Sequence, residues 1–367
     1  MQQINAPTSS IPAGLVTGIG SLPFTSPQEA LPLIMQYCPQ APHWPQLPRR
    51  GGREGFVFQF LTPLLTTRLL RLEGEKAVFA TDSPDWPAYL TEFYTLYLAA
   101  EAGEATALDY FALPREAAVG FHAFVEHIAA RGPGAALFYK GHQAGPLTIA
   151  LQLKDHLGRI AYYDDQLRDL IVKSLAMNAR WQVQRLGALG RPVIFFVDEP
   201  AIGVCGNSNY ITVTRQMVLD DLNAIFDQVH AAGGIVGVHS CDGIDWSLLY
   251  ESKVDIVNLD AFDYWQSLLP YAAEMKGFLA RGGFMAMGLV PTNPAAWQQT
   301  ADTLLAHLSN VYGELAARGV HLPTLKQQTM ITPACGTGLL EPELAVHIYS
   351  LARQAGEKFS REVAGLD

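Results

Sequence analysis

The sequence predicts an α/β fold, specifically a (β/α)8 TIM barrel with an N-terminal elaboration. Three observations carry this. Short, uninterrupted apolar runs alternate with helical segments through the second half of the chain, as in Val193-Ile194-Phe195-Phe196-Val197 and Phe284-Met285-Ala286-Met287-Gly288-Leu289. Such runs mark strands buried on both faces, which means a parallel sheet covered by helices. Eight strand candidates can be counted, and eight parallel strands suggest a closed barrel. Finally, neither a GxGxxG nor a GxxxxGK[ST] pattern follows the first strand, which argues against the doubly wound alternative. Gly18-Ile19-Gly20 supplies only half of a dinucleotide fingerprint.

In chain order, residues 1–13 read as a loose, polar lead-in. Leu15-Val16-Thr17-Gly18-Ile19-Gly20 is the first strand, ended by the turn Gly20-Ser21-Leu22-Pro23. Residues 27–37 look helical, with Pro27 near the start. The stretch 38–56 has too many prolines for regular structure. It is expected to be a proline-rich insertion, a rigid surface loop or a wall of the site. A second strand is expected near 76–80. Helices follow over 85–107 and 114–131, then a strand around 136–140 and a long helix over 159–189. Beyond this the rhythm is regular. Strands fall near 193–197, 235–239, 255–259, 284–289 and 328–332. Helices fall near 215–232, 245–251 and 264–280, then from Asn293-Pro294 as N-cap and first-turn proline, and from Glu341-Pro342-Glu343 towards Phe359. The whole of 1–367 reads as one barrel domain.

Composition narrows the class. Hydrophobic residues make up 49% and charged residues 16%, so the chain is globular and low in charge. Lys plus Arg is 25 against 35 for Asp plus Glu, a net charge of −10, which argues against a broad nucleic-acid or anionic-membrane surface. Four cysteines, Cys38, Cys205, Cys241 and Cys335, make no disulfide scaffold. Met1-Gln2-Gln3-Ile4-Asn5 lacks a basic region followed by an apolar core, and no run of 18 apolar residues occurs. The expectation is a reducing, cytoplasmic compartment.

A barrel places its active site at the C-terminal ends of the strands. Reading along those ends gives Ser21, Lys140 and His142, Asp198 and Glu199, His239 and Cys241, Asp260, Thr292 and Asn293, and Cys335. His239 and Cys241 stand two apart at a strand end, so both side chains take the same side. Closure would bring Cys335 to the same rim. Two thiols and an imidazole suit zinc, and three protein ligands with one open place is the catalytic pattern. The plainer reading is a strand-end histidine and two buried thiols. Asp260 is a fourth ligand or an acceptor for His239, against a plain turn aspartate. Asp198-Glu199-Pro200 supplies an anionic pair for a cationic amine, against ordinary strand-end capping. Because side chains alternate, one of the pair can point inward while the other braces a loop.

Together these segments resemble the C-terminal catalytic barrel of cobalamin-independent methionine synthase, within the superfamily that also holds uroporphyrinogen decarboxylase. The resemblance lies in Ile19-Gly20-Ser21-Leu22-Pro23, Gly145-Pro146-Leu147-Thr148, Val197-Asp198-Glu199-Pro200-Ala201, His239-Ser240-Cys241 and Pro333-Ala334-Cys335-Gly336, in family order. It implies a methyltransferase that uses zinc to activate the homocysteine thiol and yields methionine. His239, Cys241 and Cys335 match three family ligands. The family glutamate falls at Asp260, one methylene shorter. Ser21 and Asp198 match residues that hold the amino-acid part of homocysteine, and Glu54, in Arg53-Glu54-Gly55, matches a second carboxylate. The family enzyme is a double barrel, whereas this chain has room for one. A methyl-corrinoid, free or carried on a separate protein, is therefore the expected donor rather than a folate. Two alternatives stand beside this. One is a uroporphyrinogen decarboxylase-like lyase holding propionates with Arg49, Arg50 and Arg53. The other is a non-catalytic thiol- or corrinoid-binding barrel.

Overall fold

The computed structural model describes residues 11–205, 210 and 212–366. The expectations for residues 1–10 lie outside the described residues. Among the described residues ten strands occur in chain order: β1 (Leu15–Val16), β2 (Leu70–Glu73), β3 (Lys76–Phe79), β4 (Tyr139–Ala144), β5 (Lys154–Asp155), β6 (Val193–Asp198), β7 (Ile235–Ser240), β8 (Ile256–Asp260), β9 (Phe284–Val290) and β10 (Thr329–Pro333). Seven of them form one sheet in the order β1-β10-β9-β8-β7-β6-β4, with every pairing parallel.

The apolar runs sort by alternation. Val193, Phe195 and Val197, with Val236, Val238, Val257 and Leu259, join the large core shared with the helices. Their alternates pack together in a separate, smaller cluster: Leu15, Ile194, Phe196, Ile235, Ile256, Phe284, Ala286 and Met330, with Phe138 just before β4. One face of both edge strands and of the middle strands meets at one centre, so the sheet curves towards a barrel. Each of the larger side chains among them contributes roughly 1.5–3 kcal/mol by leaving water. Continuous apolar sequence is the consequence of burial on both faces.

The eighth position corrects the sequence reading. Residues 76–80 do not join the barrel sheet; β3 forms an antiparallel hairpin with β2 and a small sheet with β5. The gap between β1 and β4 is instead spanned by residues 40–46, inside the stretch expected to be an insertion. On one side Leu137 and Phe138 donate to the Gln40 carbonyl, and Lys140 donates to that of Pro42 at 3.0 Å. On the other side Gln46 donates to Gly20 at 3.0 Å and Leu22 to Gln46 at 2.9 Å. Only two isolated parallel bridges result, His43–Lys140 and Ser21–Gln46. Pro39, Pro42 and Pro45 lack the N–H that a continuous ladder needs. The architecture is thus TIM-barrel-like, with seven regular strands and no fully paired eighth.

The helices lie where expected, with five shifts of boundary. The helix expected over 114–131 begins only at Val119. The helix expected over 85–107 breaks into Trp86–Glu101 and Ala105–Asp109 around Gly103, whose φ of +96° suits glycine. The long helix begins at Asp165, because Asp164 caps it by accepting from Gln166 and Leu167. The segment from Trp265 to Tyr271 is 3-10, with Pro270 inside it, before the α-helix Ala272–Ala280. Asn293-Pro294 opens only a single 3-10 segment, Pro294–Gln298. The following α-helix, Ala301–Ala317, is opened by a reciprocal capping box between Thr300 and Thr303. Among the described residues no helix is long and apolar enough to cross a membrane.

Candidate metal centre

Parallel strands present their C-terminal ends on one rim. Asp198 ends β6, and it lies in register with His239 of β7, which lies in register with Asn258 of β8. Neighbours in register share a side, so these three point into the barrel together. The β10–β9 register shifts between Thr332 and Pro333, and Ala334 N–H then bonds to Val290 O at 2.8 Å. Such a bulge re-aims the chain, and Cys335 follows it. A ring nitrogen of His239 and the sulfurs of Cys241 and Cys335 all lie within 4.8 Å of one another. These residues come from distant parts of the sequence, and their donors can hold a metal ion.

The electrostatics agree with a cluster that wants a cation. The Cys241 thiol is held well below its ordinary range by the adjacent Cys335 thiol and then by His239. The Cys335 thiol is pushed up by its hydrogen bond to Cys241 and by burial. Burial works against charge on His239, but Cys241 and Asp198 beside it outweigh that and raise it. Two thiols close enough to share one proton are stabilised when a metal replaces it. His239 Nδ1 lies 2.5 Å from Asn258 Oδ1, while Nε2 has no hydrogen-bond partner. Nε2 is therefore the nitrogen left for the cluster.

A cavity of about 440 Å³ opens above these groups. Ile19, Phe56, Leu339 and Leu340 give it apolar walls; Ser21, Gln46, Asp198, His239, Cys241 and Cys335 supply its chemistry. Asp198 Oδ1 is buried without a partner. Burial raises the Asp198 carboxyl, while the Lys140 ammonium and His239 pull it back down. Lys140 lies below the rim, fully buried, donating to Ile19 O at 2.6 Å and sitting 4.5 Å from the Phe196 ring centre. His142 is also buried below the rim, stacked on Trp44 at 3.9 Å.

Glu199 turns the other way from Asp198. Its carboxylate accepts from Leu147 N at 2.9 Å, from Thr148 N at 2.8 Å and from the Thr148 hydroxyl. It thereby braces the start of the helix Pro146–Gln152, so the two neighbouring carboxylates divide as alternation allows.

Ser21 lines the cavity and also clasps the loop carrying Cys335. Its Oγ accepts from Gly338 N at 3.2 Å, and its carbonyl accepts from Thr337 N at 3.0 Å. Asp260 stands outside the three-residue cluster, and its Oδ1 accepts from Phe262 N and Asp263 N, both at 2.9 Å. Glu54 is buried against Arg50, with Arg50 Nε 2.5 Å from its Oε1, and it does not line the cavity. Arg49 donates to the carbonyls of Leu339 and Leu340 on the rim. Arg53 lines different cavities.

Sequence reasoning missed Asn258 and the Gly336–Leu340 loop; it read 38–56 as a surface loop or a wall of the site without singling out Gln46 or Phe56, which line the cavity. Asn258 carried a signal, a polar residue inside an apolar run at the same inward parity as His239. Phe56 and Leu339 carried none.

No protein-family model matches the chain, and no curated protein matches it. Among solved structures, a B12-independent methionine synthase from Shewanella sp. W3-18-1, in complex with selenomethionine, aligns with 67% of this chain and 68% of its own, at 16% identity and a TM-score of 0.48. A Bacteroidetes-affiliated GH5 cellulase aligns with 71% of this chain and 79% of its own, at 12% identity and a TM-score of 0.37. An L-ribulose 3-epimerase aligns with 70% and 85%, at 12% identity and a TM-score of 0.40. A functional reading of this chain therefore rests on its own motifs and on the geometry of the site.

Proposed function

We propose that the protein is a zinc-dependent methyltransferase that methylates a thiol, with homocysteine the acceptor and methionine the product, and a methyl-corrinoid the donor. The observation that carries this is the convergence of His239, Cys241 and Cys335 within 4.8 Å at a cavity that also holds Asp198 and Ser21. Two sulfurs and one imidazole nitrogen suit zinc, and the unpartnered His239 Nε2 fits such an ion. When bound there, zinc supplies thiol deprotonation near neutral pH.

The chain's own residues do the rest. Asp198 is the one carboxylate among the described residues that line the cavity, and its free Oδ1 would take the substrate ammonium. Ser21 Oγ accepts from Gly338, which leaves its hydrogen to donate to the substrate carboxylate. Phe56, Leu339 and Leu340 would give the reacting sulfur an apolar wall. His239, Cys241 and Cys335 would hold the metal, and the substrate thiol would lie in the cavity beside them. For Asp260 to serve as a fourth ligand in the resting protein, it would have to release Phe262 and Asp263. The decarboxylase-like reading is less well supported, since Arg49 holds the rim loop and Arg50 pairs with Glu54.

The test is zinc content after dialysis against a weak chelator, followed by methyl transfer from methylcobalamin to homocysteine. About one zinc per chain and turnover are expected, with both lost in Cys335→Ala. An active, metal-loaded Cys335→Ala protein would sink the proposal.

A further inference from the structure

We infer that Asn258 is a positioning residue that selects which nitrogen of His239 is free to bind metal, and that it ties together the two strands carrying the ligands. This rests on the zinc reading above.

Asn258 is fully buried in β8. Its side chain makes three contacts: Oδ1 to His239 Nδ1 at 2.5 Å, Nδ2 to Ala286 O at 2.7 Å and Nδ2 to Thr332 Oγ1 at 2.9 Å. The Ala286 carbonyl can only accept, so the amide must turn its NH2 towards it. That leaves Oδ1 facing the imidazole. Oδ1 also can only accept, so Nδ1 must carry a hydrogen. In the neutral ring the lone pair then sits on Nε2, the nitrogen without a partner. The opposite amide orientation would set Oδ1 against the Ala286 carbonyl, two acceptors face to face in a dry interior. It would also turn Nδ1 into an acceptor and put the ring hydrogen on Nε2, which cannot then ligate. A backbone carbonyl of β9 thus dictates the tautomer of a side chain on β7, with Asn258 as the relay.

The third contact extends the role. Thr332 lies three residues before Cys335, so a single amide links the strand of His239 with the strand leading to Cys335. Aspartate could accept from Nδ1 but could not donate to Ala286 or Thr332. Serine would not span all three partners. The position calls for an amide because it needs an acceptor on one side and two donors on the other.

The experiment uses the full chain, reduced and metal-free, at mildly alkaline pH. Long-range proton–nitrogen correlation of the histidine rings, with His239 assigned by its loss in His239→Gln, should show a single Nδ1–H tautomer in the wild type. In Asn258→Leu that pattern should give way to mixed or Nε2–H signals, and zinc affinity in chelator competition should fall about 10–100-fold. Asn258→Asp keeps the acceptor and should restore the Nδ1–H pattern, which a merely structural role would not do. A wild-type Nε2–H tautomer overturns the inference, even if no variant folds. So does a folded Asn258→Leu protein with an unchanged ring pattern and affinity within about twofold of wild type. Failure of the wild type to bind zinc would instead defeat the methyltransferase reading, and the ring measurement would still judge Asn258.

Discussion

Asp198 and Glu199 are adjacent and chemically alike, yet the fold gives them different work, and each can be tested alone. Asp198 offers a free carboxylate oxygen to the cavity. A charge-assisted hydrogen bond to an ammonium is worth about 1.5–3 kcal/mol, so Asp198→Asn should raise KM for homocysteine about 10–100-fold with zinc content unchanged. Loss of zinc without a change in KM would refute the substrate-binding role. Glu199 is buried, and burial pushes its carboxyl up to about 7 despite the donors of Thr148 and Leu147. A folded-state value above the unfolded one means that the folded protein holds the proton more tightly. This group's stabilising contribution is therefore full below the unfolded value of 4.5 and is lost as pH rises through about 7. Over that window the change is roughly 3 kcal/mol, at 1.36 kcal/mol for each pKa unit. Glu199→Gln should flatten the pH dependence of denaturant stability between those limits, and a variant with the wild-type slope would contradict the assignment. The convergence of His239, Cys241 and Cys335 was legible in sequence because strand ends in a parallel fold share a rim. Asn258 was not read, because one polar residue inside an apolar strand looks like a flaw in the run until its three partners are visible.

The element that most separates sequence from structure is the extended segment 40–46. Apolar strands such as β6 and β9 announce themselves, because burial on both faces leaves no polar position. The segment at 40–46 has no such signature, since Pro42 and Pro45 suppress the ladder and its pairing is confined to isolated bridges. Its neighbours have adapted to it instead. The helix Val119–Arg131 approaches so closely that a Cβ on Gly120 would meet Pro45 O at 1.9 Å. That atom is backbone and cannot step aside. Gly120→Ala should destabilise the protein by about 1–3 kcal/mol and lower its melting temperature. Gly313→Ala is the matched control, because it is exposed in the helix Ala301–Ala317 with nothing within 4 Å of a new Cβ. There the better helix propensity of alanine should stabilise by up to about 1 kcal/mol. Equal effects at the two sites would mean that segment 40–46 yields easily and does not form part of the rigid wall. The same contrast explains the false strand at 76–80, where a real but antiparallel hairpin mimics a barrel strand in sequence.

The cluster of His239, Cys241 and Cys335 joins β7 to the segment after β10, across two intervening strands of the sheet order. A metal held there binds only when the rim is assembled, so its binding free energy adds to the stability of the fold. With free zinc at about 100 times its dissociation constant the gain is about 2.7 kcal/mol. Adding zinc to the reduced, metal-free protein should therefore raise the apparent melting temperature by a few degrees at a fixed scan rate. Cys335→Ala should melt near the metal-free wild type and gain nothing from zinc, because it removes the thiol that the segment after β10 brings to the cluster. Cys205→Ala should keep the full shift, since Cys205 lies outside the cluster. That comparison separates a rim site from adventitious zinc on thiols. If Cys335→Ala retained the wild-type shift, the stabilising metal would be elsewhere, and the trio would revert to a strand-end histidine beside two packed cysteines.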